Sequence, residues 1–153
     1  MNKQANIFRS IILSASILLA TINSVLAQDK SSQQGTQSSD EVLGYTFEMK
    51  GCQRQRKALV CAGKFTSPYE NKLLLLDSLN TTLTNESGDQ YLAESVSAGT
   101  GYNYDMTPLV KDIPLKVTII FRNIPNSGKT ITLITFATKF TGTFQLRNVS
   151  VSN

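Results

Sequence analysis

The residues of this chain that could act on or hold another molecule fall in three short segments. Cys52 and Cys61 are the two cysteines. An even count favours a disulfide wherever the compartment is oxidising. A hairpin turning near Arg56-Lys57 would set positions 52 and 61 opposite each other. Catalytic thiol chemistry would instead need a CxxC spacing or a histidine partner, and the chain has neither. The run between the cysteines is the second segment. Arg54, Arg56 and Lys57 form the densest positive patch and would sit at or beside the hairpin tip. They are candidate contacts for an anionic surface, with a solvated, aggregation-resistant tip as the simpler reading. The third segment is Tyr102-Asn103-Tyr104-Asp105, set in a Gly-rich stretch. Aromatic loops on β folds stack on sugar rings while Asn and Asp hydrogen-bond the hydroxyls, so these four are candidate ligand contacts. A Tyr packed over the edge of the fold is the simpler reading.

Much chemistry is excluded or unsupported. The sequence holds no histidine, which removes Ser-His-Asp and Cys-His catalysis and His-based zinc sites. No P-loop, GxGxxG or GxSxG occurs. The acids, such as Glu48, Glu70, Asp77 and Asp89, are scattered and mostly at turns, unlike the paired carboxylates of a glycosidase. The loop Asn85-Glu86-Ser87-Gly88-Asp89 lacks the spaced acidic pattern of an EF-hand and reads as a hairpin turn. Asn80, Asn85 and Asn148 open glycosylation triplets that arise often by chance in a Ser/Thr/Asn-rich chain. The expectation is a non-enzyme with no catalytic residue, cofactor or metal. Basic residues interleaved with exposed aromatics are not evident, which speaks against nucleic acid.

The elements that must position these residues begin after an address. Lys3 and Arg9 precede the apolar run Ile11 to Ala20, and Val25-Leu26-Ala27 offers small residues at the cleavage positions. This is the pattern of a secretory signal. The run is shorter than the ~20 residues that span a bilayer. The expectation is export, periplasmic or secreted, with cleavage near Ala27 and no transmembrane span in the mature chain. Loss of residues 1–27 removes two bases and lowers the formal net charge from +4 to +2. So small a charge is weak evidence for an anionic partner. Residues 28–41 are Ser/Gln-rich and bury too little to offset their ordering entropy, so a flexible polar linker is expected there.

Residues 42–153 read as the folded domain. Tyr45, Phe47 and Met49 alternate with Thr46, Glu48 and Lys50, a period of two. Leu59, Cys61, Gly63 and Phe65 repeat it. Leu115 to Arg122 is a strong strand flanked by Pro114 and Pro125. Thr130 to Phe140 is β-branched and aromatic, and Thr143 to Val151 closes the chain. Turns are expected at Ser67–Asn71, Asn85–Asp89 and residues 126–128, and a longer Gly/Tyr loop at Ser97–Met106. No helix-length amphipathic segment follows the signal. This spacing predicts an all-β fold, an antiparallel immunoglobulin-like sandwich of seven to eight strands with one hairpin disulfide.

The stretch Tyr45 to Arg54 with Cys61 and Phe65, the Phe121-Arg122-Asn123-Ile124 unit and the closing Phe144 to Val149 resemble small secreted immunoglobulin-like proteins common in cyanobacteria. The resemblance covers about residues 43–151 and rests on strand patterns and a cysteine pair. It implies a fold and a compartment and carries no site to transfer. The functional expectation is a non-catalytic exported module that binds an unknown protein or glycan of the cell envelope. A carbohydrate-binding module using the Tyr102/Tyr104 loop is the alternative, and a protease-inhibitor-like sandwich is a third.

Overall fold

The computed structural model describes residues 38–103, 105–125 and 129–153. The expected signal peptide, most of the expected linker, the turn at 126–128 and Tyr104 lie outside the described residues. The first strand is β1 (Ser39–Val42), so extended pairing begins inside the segment expected to be linker. Leu43 and Gly44, both at positive φ, turn the chain into β2 (Tyr45–Gln55), and β1 pairs with it from Ser39↔Glu48 to Val42↔Tyr45.

Then follow β3 (Ala58–Thr66), β4 (Lys72–Leu75), a 3₁₀ turn at Ser78–Asn80, β5 (Thr82–Thr84) and β6 (Gln90–Leu92). The chain continues through β7 (Ser95–Ala98), β8 (Gly101–Tyr102), β9 (Met106–Leu109), β10 (Leu115–Arg122), β11 (Thr130–Thr138) and β12 (Gly142–Ser152). Among the described residues the fold is all-β, with twelve strands rather than seven or eight. The excess comes from short strands that turn chemistry hides in sequence. Ser97–Met106 is not a long loop, for β7 and β8 pair there through Ser97↔Tyr102 and Ala98↔Gly101.

Strand order is β6-β5-β11-β12-β2-β3-β10-β7-β8, with β1 on β2 and a separate β4–β9 ribbon. Among the described residues all ladders are antiparallel except one. The end of β12 runs parallel to β2 at Val151↔Cys52 and Ser152↔Gln53, which departs from the purely antiparallel expectation. The long sheet curls, so that its two halves share one core. Phe47 and Phe65 from β2 and β3 meet Phe136 and Phe144 from β11 and β12, all four without solvent exposure. The Phe47 and Phe136 rings stack 4.3 Å apart, and Phe65 meets Phe144 edge-on at 5.5 Å. Such contacts add about 0.5–1.5 kcal/mol per pair beyond area burial.

One irregularity decides which side chains face this core. In β2 the register against β3 shifts between Met49 and Gly51, a bulge with Lys50 as the extra residue. Gly51 takes φ +137, a conformation that suits glycine. A shift of one residue reverses the faces. Before the bulge Tyr45, Phe47 and Met49 point inward; after it Cys52 does. Cys52 thereby lies opposite Cys61 in the ladder, and the two form the expected disulfide across neighbouring strands.

Candidate functional site

Outward of the same strands lies a trough. The β3 side chains alternate strictly, with Leu59, Cys61 and Phe65 buried and Ala58, Val60 and Ala62 half-exposed on the other face. Those three outward residues are small. Ala58 and Val60 have longer cross-strand neighbours, Gln55 and Gln53 on β2 and Arg122 and Ile120 on β10, while Ala62 stands between Gly51 and Thr118. A central strand of short side chains between flanking strands of long ones leaves a depression along β3. Near the β2–β3 turn it is a groove of about 600 Å³ containing Arg56, Lys57, Ala58, Val60, Ile120 and Arg122. Further along, a groove of about 680 Å³ reaches Lys50, Ala62, Lys116 and Thr118, with Ser150 and Ser152 on the β12 side. Gln55 and Val60 line both, so the two are continuous.

The trough is one-signed. Lys50, Arg56, Lys57, Lys116 and Arg122 line it, and no Asp or Glu does among the described residues. Arg122 is ion-paired with Glu94, which neutralises one of the five. Lys116 stands directly opposite Lys64, a like-charge cross-strand pair that costs stability, although Glu48 on the other side of Lys64 offsets part of it. Basic groups gathered over low-dielectric walls focus potential toward an anion.

The three candidate segments fare differently. Arg56 and Lys57 form the two-residue turn between Gln55 and Ala58, with Arg56 at φ +55, and both line the trough. Arg54 follows the inward parity of Cys52, stands opposite buried Leu59, and is half-buried away from the trough. In the third segment the polar side chains are engaged locally. The Asn103 Oδ1 accepts from the Val96 N–H at 3.0 Å, and the Asp105 Oδ2 accepts from the Tyr102 N–H at 2.9 Å. Tyr102 is 54% exposed.

Register places Tyr102 on the same face as the trough. It pairs with Ser97, Ser97 with Thr118, Thr118 with Ala62, and Ala62 with Gly51. Directly paired residues of adjacent strands point to one face. The neighbouring row, Gly101–Ala98–Val117, points to the core, where Ala98 and Val117 have no exposure. Sequence reasoning missed Lys50, Lys116, Arg122 and the β3 floor. The outward alternation of Lys116, Thr118, Ile120 and Arg122 was the available signal for β10.

Among the described residues no group of three or more Cys, Asp and Glu could hold a metal, and no helix is long and apolar enough to cross a membrane. Searches of family models, of curated proteins and of solved structures found no match to this chain.

Proposed function

We propose that this chain is an exported, non-catalytic interaction module of the cell envelope, periplasmic or secreted after cleavage near Ala27, and that it meets its partner through the outward face of β12–β2–β3–β10. The supporting observation is the continuous trough over β3, lined by five basic side chains and by no carboxylate among the described residues. The Cys52–Cys61 disulfide fits an oxidising compartment. An immunoglobulin-like sandwich akin to the small secreted cyanobacterial proteins is the architecture we infer, supported by two β layers that share the Phe47/Phe65/Phe136/Phe144 core.

The test uses the full chain, expressed in an exporting host and purified from the exported fraction. It serves as bait against envelope material, beside Val60→Glu, which puts a carboxylate on the trough floor, and Glu86→Gln in the distant 85–89 hairpin. A partner retained by the wild type and Glu86→Gln but lost by Val60→Glu is the expected result. Equal retention by all three would remove the trough from consideration, and hydrolytic turnover by the pure protein would refute the non-catalytic reading.

A further inference from the structure

We propose that the ligand of this face is an acidic polysaccharide, an extended chain of sugars bearing carboxylates, lying across the strands from the basic trough to Tyr102. This rests on the trough being the contact face. The path is the register row Gly51–Ala62–Thr118–Ser97–Tyr102. It crosses four strand gaps of about 4.8 Å each, roughly 19 Å, room for several sugar rings.

Each part of the row suits that chemistry. Ala62 and Thr118 give a low floor on which the face of a sugar ring can lie. Gln53, Gln55, Ser150 and Ser152 supply neutral amide and hydroxyl groups around it for hydroxyl partners. Lys50, in the bulge beside Gly51, and Lys116, two residues along β10 from Thr118, line the same groove, and neither has a carboxylate partner among the described residues. Ammonium groups so placed form charge-assisted bonds to carboxylates spaced along a polymer. Tyr102, at the sheet edge, is the one large aromatic in the row and is open to solvent for stacking. An acidic peptide would use the charge but leave the aromatic end and the hydroxyl-rich flank without a role. The charge complement together with an aromatic on the same face selects the glycan.

The experiment measures binding of the exported full chain to polygalacturonate, to neutral dextran and to poly-glutamate by calorimetry at 50 and 300 mM salt. Lys50→Gln, Lys116→Gln, Tyr102→Ala and Val60→Glu are tested in parallel, each checked for folding by circular dichroism. Binding to polygalacturonate and not to dextran is expected. Each lysine variant should weaken it by about tenfold, as loss of one charge-assisted contact does. Tyr102→Ala should weaken polygalacturonate binding without changing the salt dependence, which adsorption of a polyanion to a basic patch would not produce. Equal binding of poly-glutamate, with Tyr102→Ala neutral, overturns the polysaccharide while the trough still stands as the contact face. No binding to any polymer overturns the polysaccharide too. In that case a protein partner lost in Val60→Glu would keep the trough, and one retained there would discard both.

Discussion

Gly63→Ala tests how the Phe47 ring packs over β3 into the shared core. Gly63 faces inward from β3, and the Phe47 ring lies across it. A Cβ on residue 63 would stand 2.8 and 2.9 Å from two carbons of that ring and 2.8 Å from the Glu48 carbonyl oxygen. Carbon contacts are comfortable at about 3.5 Å or more. Phe47 cannot retreat freely, because it stacks on Phe136 at 4.3 Å and meets Phe144 at 6.1 Å. Overpacking of this kind costs typically about 1–3 kcal/mol. Alanine also restricts the unfolded chain, which returns about 0.4–1 kcal/mol. The net expectation is a loss of about 1–2 kcal/mol in urea unfolding, followed by circular dichroism because the chain has no tryptophan. A smaller side chain at 47 should relieve the ring clash but not the carbonyl clash. Phe47→Leu combined with Gly63→Ala should therefore be less unstable than the two single losses added, by about 0.5–1 kcal/mol. Additive losses, or a Gly63→Ala protein as stable as the wild type, would refute the packing of Phe47 over Gly63.

Three further outcomes are expected. Protein purified without reductant should gain the mass of two hydrogens on reduction, and with Cys52 and Cys61 separated by 9 residues the bridge should contribute about 2.6 kcal/mol in the chain-entropy account; equal urea midpoints with and without reductant would contradict this. Thr81 is fully buried, donates its hydroxyl to the Asp77 carbonyl at 2.7 Å and accepts from the Ala137 N–H at 3.1 Å, tying the 3₁₀ turn to β11; Thr81→Val should cost about 1–3 kcal/mol by leaving that N–H unpaired. Burial, and secondarily the nearby Tyr69, push the Tyr45 hydroxyl above its usual pKa of 10.0. The unfolded chain then ionises first, so stability should be level below pH 10 and fall as pH rises beyond it. Tyr45→Phe should flatten that alkaline fall in urea midpoints measured from pH 9 to 11.5.

The strands with strong alternation were legible in sequence, and so was the disulfide. Both follow from local rules, since period two marks a half-buried strand and a two-residue turn at Arg56-Lys57 aligns 52 with 61. What escaped was the parity conflict in β2. Residues 45, 47 and 49 occupy odd positions, yet Cys52 must face inward with Cys61, which requires one extra residue between them. Gly51, at φ +137, marks that bulge. The short strands escaped for another reason. β7 and β8 hold only six residues together and are secured by side chain to backbone bonds, Asn103 to Val96 and Asp105 to Tyr102. In sequence, Gly, Asn and Asp at such points read as loop.

The candidate site was legible only in fragments, because its charge is assembled by topology rather than by sequence proximity. The run Arg54-Gln55-Arg56-Lys57 looks like one patch, but strand alternation sends Arg54 to the core side and leaves Arg56 and Lys57 at the trough. Their partners come from elsewhere. The bulge supplies Lys50, and the β10–β3 register brings Lys116 opposite Lys64 and Arg122 opposite Ala58. A formal net charge of only +4 conceals this, since among the described residues five bases line one groove that no acid lines. The same register carries the row outward to Tyr102. The basic hairpin tip and the tyrosine segment, unrelated along the chain, are therefore two ends of one sheet face. A ligand long enough to reach both should lose affinity on Tyr102→Ala and on Arg56→Gln alike, the two losses multiplying in one binding isotherm, whereas two independent sites would leave the affinity of one unchanged when the other is altered.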